Sequence, residues 1–140
     1  MSTTFLFEVH TPFHRFFSGP VEAIILTLSD GEICVYANHE AFTAPVKTGF
    51  LRIKNDRGDW RTAFVADGIL EVKEHKSVLM SDAAEWPEDI DTERAQKAME
   101  NAEEILKTSK LKFETDKAAS ALNKAKFRLK TRELTGREKG

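Results

Sequence analysis

The apolar period of the chain changes at Pro87, and this limits the fold more than any other feature. Before it, residues 5–81 read as short strands with apolar side chains on alternate positions. Phe5, Phe7 and Val9 alternate, and Val21 to Leu28 is rich in β-branched and aliphatic residues. Ile33 to Tyr36, Phe50 to Lys54, Trp60 to Ala66, Ile69 to Lys73 and Val78 to Met80 follow. Asp30-Gly31 signals a tight turn, and Asn55-Asp56-Arg57-Gly58-Asp59 a hairpin loop. Strands without intervening helices predict an antiparallel sandwich or barrel. A domain of about eighty residues buries roughly 60% of its unfolded surface, enough to fold alone.

From Asp91 onward the apolar period is that of a helix. One stripe runs through Ala95, Ala98, Met99, Ala102, Ile105 and Leu106. Thr108-Ser109-Lys110 interrupts it, and a second runs through Ala118, Ala121, Leu122, Ala125 and Leu129. Two helices with a short connection predict an antiparallel hairpin. The expected fold class is therefore β + α: an N-terminal antiparallel β-sandwich, residues 1–86, then a C-terminal two-helix hairpin, residues 87–140. The helical stripes are mostly alanine, which buries little apolar area at about 25 cal/mol per Å². Such a hairpin is marginal alone and needs another surface. Where two surfaces compete for it, it is a switch.

Composition excludes several functions. No segment approaches the ~18 consecutive apolar residues of a membrane span, and the N-terminus lacks the pattern of a secretory signal. One cysteine, Cys34, excludes an internal disulfide and a cysteine metal cluster, and a reducing compartment is expected. His10, His14, His39 and His75 have no metal-ligand spacing, so no metal site is expected. No Gly-rich phosphate loop and no convergent acid, base and nucleophile stand out, so the chain reads as non-catalytic.

Charge is unevenly spread. Residues 1–86 carry 8 basic and 12 acidic side chains, a net of −4. Residues 88–104 are acidic, and residues 117–139 are basic. The basic run has little aromatic interleaving, only Phe127, which argues against nucleic acid. In 89-DIDTERA-95, Asp91 has the chemistry of a helix N-cap, and Arg94 is placed to pair with Asp91 or Glu88.

Five stretches in order, Thr11-Pro12, 31-GEICVYANHEAF-42, 68-GILEV-72, 89-DIDTERA-95 and 121-ALNKAKFRL-129, resemble the epsilon subunit of bacterial F-type ATP synthases (the delta subunit of mitochondria). The resemblance runs from Phe5 to about Leu134. Cys34 and Asp67 stand where the family has glycine, and Ala37 where it has proline.

The resemblance implies a central-stalk rotor subunit that couples gamma to the c ring during proton-driven ATP synthesis. It implies that the mobile hairpin inhibits ATP hydrolysis when it extends into the alpha/beta catalytic hexamer. It implies a location peripheral to the cytoplasmic face of the bacterial inner membrane. A weakly bound regulatory ATP is the one ligand it suggests, at Glu85, Ile90, Asp91, Arg94, Ala95, Lys124 and Arg128. It places c-ring contact at Gly31, Glu32, Asn38 and His39. It gives Lys124, Lys126, Arg128, Lys130 and Arg132 to the hexamer when the hairpin is extended. The alternative from the residues themselves is a free-standing β-sandwich adaptor, a chaperone-like binding module with a helical arm.

Overall fold

A computed structural model of the chain describes residues 3–138. Nine strands come first: β1 (Phe5–His10), β2 (Arg15–Leu28), β3 (Gly31–Tyr36), β4 (Phe42–Val46), β5 (Gly49–Asn55), β6 (Trp60–Val65), β7 (Gly68–Val72), β8 (Lys76–Ser81) and β9 (Ala84–Glu85). A 3-10 turn (Pro87–Asp89) and two helices, α1 (Thr92–Thr108) and α2 (Lys112–Glu138), follow. Two compact units result, one ending at Glu85 and one beginning at Trp86.

In the first unit the sheet order is β1-β8-β7-β4-β2-β5-β6-β9, with β3 on β2. The long strand β2 closes this sheet on itself. Its first half pairs with β1 and its second half with β3 and β5. Alternation then sends one side chain in two to the interior: Phe5, Phe7 and Val9 of β1 are buried, and Leu6, Glu8 and His10 between them are not. Phe7, Phe64, Ile24, Leu26, Leu51, Leu70 and Leu79 form a core of large, fully buried side chains. Each stabilises the fold by about 1.5–3 kcal/mol relative to exposure.

The sheet departs from sequence expectation in three places. The pairing is antiparallel except between β1 and β8, which are parallel. These strands are far apart in sequence, so no tight turn dictates their direction. Strand β2 starts at Arg15, well before Val21, because Gly19 and Pro20 are held in register opposite Phe7 and Leu6. Strand β4 lies between the strands read from the sequence and contains Pro45, which has no N–H to give to a ladder. Its ladder is with β7, and its other flank meets β2 only at Val46, so a residue without an N–H fits there.

Gly68 begins β7 where β8 approaches closely. A Cβ there would collide with the carbonyl oxygen of Met80 and lie 2.9 Å from the Ser81 Cα. The neighbouring Asp67 carboxylate accepts two hydrogen bonds from Thr48, from its amide and its hydroxyl, both at 2.8 Å. This polar tie gives the side chain at position 67 a structural task in the turn.

In the second unit, α1 and α2 form a hairpin through residues 109–111. Ala95 and Ala102 are the buried residues of α1, and Ala118 and Ala125 are buried on α2. Both pairs are spaced seven residues apart, and members of each cross-pair lie equally far from the turn. This is the spacing of a narrow helix–helix seam. Ala98 and Ala121, expected on the stripes, are exposed because a seam of this spacing takes fewer positions than a broad apolar face.

Candidate functional site

Two regions hold the residues singled out by the sequence, one in each unit. The first is β3 and the turn after it. β2 and β3 meet through a two-residue turn, with Leu28 opposite Gly31. Gly31 has φ +129, a conformation open to glycine but strained for other residues. The acidic end of the region, Gly31 and Glu32, is exposed. Beyond the far end of β3, Asn38 takes a left-handed φ of 66, which asparagine tolerates. The His39 ring lies 2.8 Å from the Glu40 carbonyl oxygen and 5.1 Å from the Phe42 ring. Strand β3 spans roughly 20 Å at about 3.4 Å per residue. The fold therefore separates Gly31 and Glu32 from Asn38 and His39 instead of gathering the four at one point. Between them, the Cys34 thiol against Tyr36 holds the phenol pKa above its ordinary value.

The second region is the start of α1 with the middle of α2. Asp91 caps α1, and its carboxylate accepts the Arg94 amide N–H at 3.0 Å. The tie between these residues is thus made by the Arg94 backbone, where a side-chain ion pair was expected, and the guanidinium is exposed. Ile90 and Ala95 are buried on either side of the cap. On α2, Lys124 and Arg128 are half-buried, one turn apart. Arg128 lies sixteen residues beyond the start of α2, and Asp91 is one residue before the start of α1. The hairpin therefore brings Lys124 and Arg128 to the level of Asp91–Ala95, at about 1.5 Å per residue. Glu85, the remaining member of this set, ends β9 in the first unit, where it pairs in register with Phe64.

Further along α2, Lys126 is exposed and Lys130 lies 5.4 Å from the centre of the Phe127 ring. Arg132 donates from Nη1 to the Pro87 carbonyl oxygen at 3.0 Å, closing the base of the hairpin. Two apolar residues off the periodic stripes, Leu111 and Phe113, are 61% and 75% exposed at the hairpin turn. A search for helical stripes passes over them because they belong to none; their signal is a large apolar residue on each side of Lys112.

Comparison with known proteins agrees with this architecture. The family model of the ATP synthase delta/epsilon chain β-sandwich domain matches residues 4–87, and that of its long alpha-helix domain matches residues 88–133. The chain belongs to the ATP synthase delta/epsilon chain family. An ATP synthase epsilon chain of Caldanaerobacter subterraneus subsp. tengcongensis is 45% identical over 131 residues, covering 93% of this chain and 94% of the relative. One from Caldicellulosiruptor bescii is 46% identical over 129 residues, covering 92% and 93%. Among solved structures, a chain of the Euglena gracilis mitochondrial ATP synthase OSCP/F1/c-ring assembly aligns with a TM-score of 0.75. It is 22% identical, and the match covers 86% of this chain and 76% of that one, so it speaks for the fold. Among the described residues of this family member, no helix is long and apolar enough to cross a membrane.

Proposed function

We propose that this chain is a non-catalytic rotor subunit of the central stalk of an F-type ATP synthase. In this reading it couples gamma to the c ring during proton-driven ATP synthesis, on the cytoplasmic face of the bacterial inner membrane. The observation that carries it is the whole-length match, with both family modules in order, to relatives named ATP synthase epsilon chain. A sheet closed through β2 around large buried side chains suits a body that must carry torque without deforming.

The regulatory half of the proposal is that the hairpin leaves its folded state and inhibits ATP hydrolysis. Its alanine seam supports this, because a helix pair with so little buried side-chain area can exchange one packing surface for another at small cost. Lys124, Lys126, Arg128, Lys130 and Arg132 then offer positive charge to an acidic surface of the catalytic hexamer, an attraction that salt would weaken. ATP is the proposed regulatory ligand. Lys124 and Arg128 at the level of Asp91–Ala95 support a weak phosphate-and-base site in which the buried Ala95 leaves room for the base. Lysine at 124 brings charge but not the planar fork of arginine, which favours weak binding. Contact with the c ring is assigned to Gly31 and Glu32, with Asn38 and His39. Their separation along β3 requires a footprint that follows the strand.

Removal of residues 88–140 tests the regulatory half in the assembled complex. Hydrolysis should rise while proton-driven synthesis survives, and unchanged hydrolysis under all nucleotide conditions removes the inhibitory role. Calorimetric titration with ATP, beside Arg94→Ala, tests the ligand. Purification from native membranes tests the whole reading, since a free-standing adaptor would not come away with the other ATP synthase subunits.

A further inference from the structure

The outward edge of β3 is an open hydrogen-bonding ladder. Among the described residues β3 pairs with β2 alone. The Lys47 amide N–H donates to the Thr27 carbonyl oxygen at 2.9 Å, so the carbonyl of Thr27 in β2 points away from β3. Alternation then assigns the ladder between β2 and β3 to Gly31, Ile33 and Val35, and turns the amides and carbonyls of Glu32, Cys34 and Tyr36 outward.

Another open edge of the sheet, at β6, is defended in several ways. Strand β9 covers it at Phe64 and Val65. Arg61 lies on it, and Arg52 and Lys54 of the neighbouring β5 lie 5.0 and 6.0 Å from the centre of the Trp60 ring. Strand β3 carries no lysine, arginine or proline, the residues that keep an edge from pairing. Val35 is buried on the inner face, Ile33 and Cys34 are half-buried, and Glu32 and Tyr36, the latter 61% exposed, are on the outer face.

Charge narrows the occupant. Residues 29–41 hold Asp30, Glu32 and Glu40 and no lysine or arginine. We infer that the β3 edge receives an extended segment of a neighbouring protein chain, which adds a strand to the sheet and sets a lysine or arginine against Glu32. The ladder supplies affinity and the alternation supplies specificity: one side chain in two faces inward beside Val35, and the others lie beside Glu32 and Tyr36. The inference rests on the rotor-subunit reading only in taking the ATP synthase as the assembly in which the segment is found.

The test compares hydrogen exchange in the free protein and in the complex purified from native membranes. Glu32, Cys34 and Tyr36 amides should be protected in the complex and exchange freely in the isolated chain. Cys34→Pro should remove one outward donor and obstruct the incoming strand without breaking a bond to β2. It should raise loss of the chain from the complex about tenfold, while Cys34→Val should match the wild type. A thermal melt of the free variant checks that the β2–β3 ladder survives the proline. Glu32→Lys should weaken retention less, and only at low salt.

Outward amides that exchange equally fast in both states would overturn the inference while leaving the rotor reading intact. Failure of the wild-type chain to purify with the complex would instead defeat the rotor reading. Protection in the isolated protein that grows with its concentration would make a second copy the occupant and overturn the inference as well.

Discussion

The two units are stabilised in different ways. The sandwich buries Phe7, Phe64, Leu51, Leu70 and Leu79 completely, and the hairpin buries alanines at 95, 102, 118 and 125. Removing a large side chain from the first leaves a cavity, whereas the seam of the second offers only small side chains to remove. Large interlocking side chains make a body resist deformation. Short ones let two helices approach closely yet part at little cost. A core of large side chains and a seam of small ones thus occupy separate stretches of one chain, meeting at Glu85–Trp86.

Phe7→Ala should cut deepest into this contrast. Phe7 is fully buried, with its ring 6.0 Å from that of Phe17, and its loss should cost the sandwich about 3–5 kcal/mol in chemical denaturation. A loss well below that would mean the sandwich core can collapse around a cavity and is less rigid than its packing implies. Gly68→Ala should come next, costing about 1–3 kcal/mol because β7 and β8 must move apart at Met80. Thermal unfolding of the full chain would read it.

Smaller still is Asp91→Ala. It removes the cap that accepts the Arg94 amide, and about 1 kcal/mol of helix stability with it. Amide exchange should rise in the first turn of α1 and leave β5 and β7 unchanged, and Asp91→Asn should restore the protection. Equal loosening of both units would break the contrast.

The smallest effect concerns Glu8 on the sandwich surface. Its hydrogen bond to His10 at 2.8 Å, and then the Lys76 ammonium at 3.3 Å, hold its carboxyl pKa below the ordinary value against partial desolvation. A pKa lowered by folding contributes stability that is complete above the unfolded carboxylate range and is lost as pH falls through the folded value. Glu8→Gln should therefore be slightly less stable than the wild type at neutral pH, and the two should converge in acid. Parallel curves across the whole range would mean the network contributes nothing.

Much of this was legible in the residues alone. The change of period at Pro87 separates β from α because side chains alternate every second residue in a strand and every 3.6 in a helix. Asp91 as a cap follows from its short carboxylate just before a helical stripe, and the hairpin turn from Thr108-Ser109-Lys110. The ordered family motifs carried the resemblance that the whole-length matches bear out. What stayed hidden depends on partners distant in sequence. The parallel pairing of β1 with β8, the strand at β4 despite Pro45, and the reach of β2 back to Arg15 are set by which strands meet, and local period does not encode that. The same holds for the sites. The sequence names Lys124, Arg128 and Asp91, but only the antiparallel seam brings them to one level. It names Glu32 and His39 together, and only the extended backbone of β3 holds them apart. Local chemistry decides what each element is, and chain closure over long separations decides what each residue stands beside.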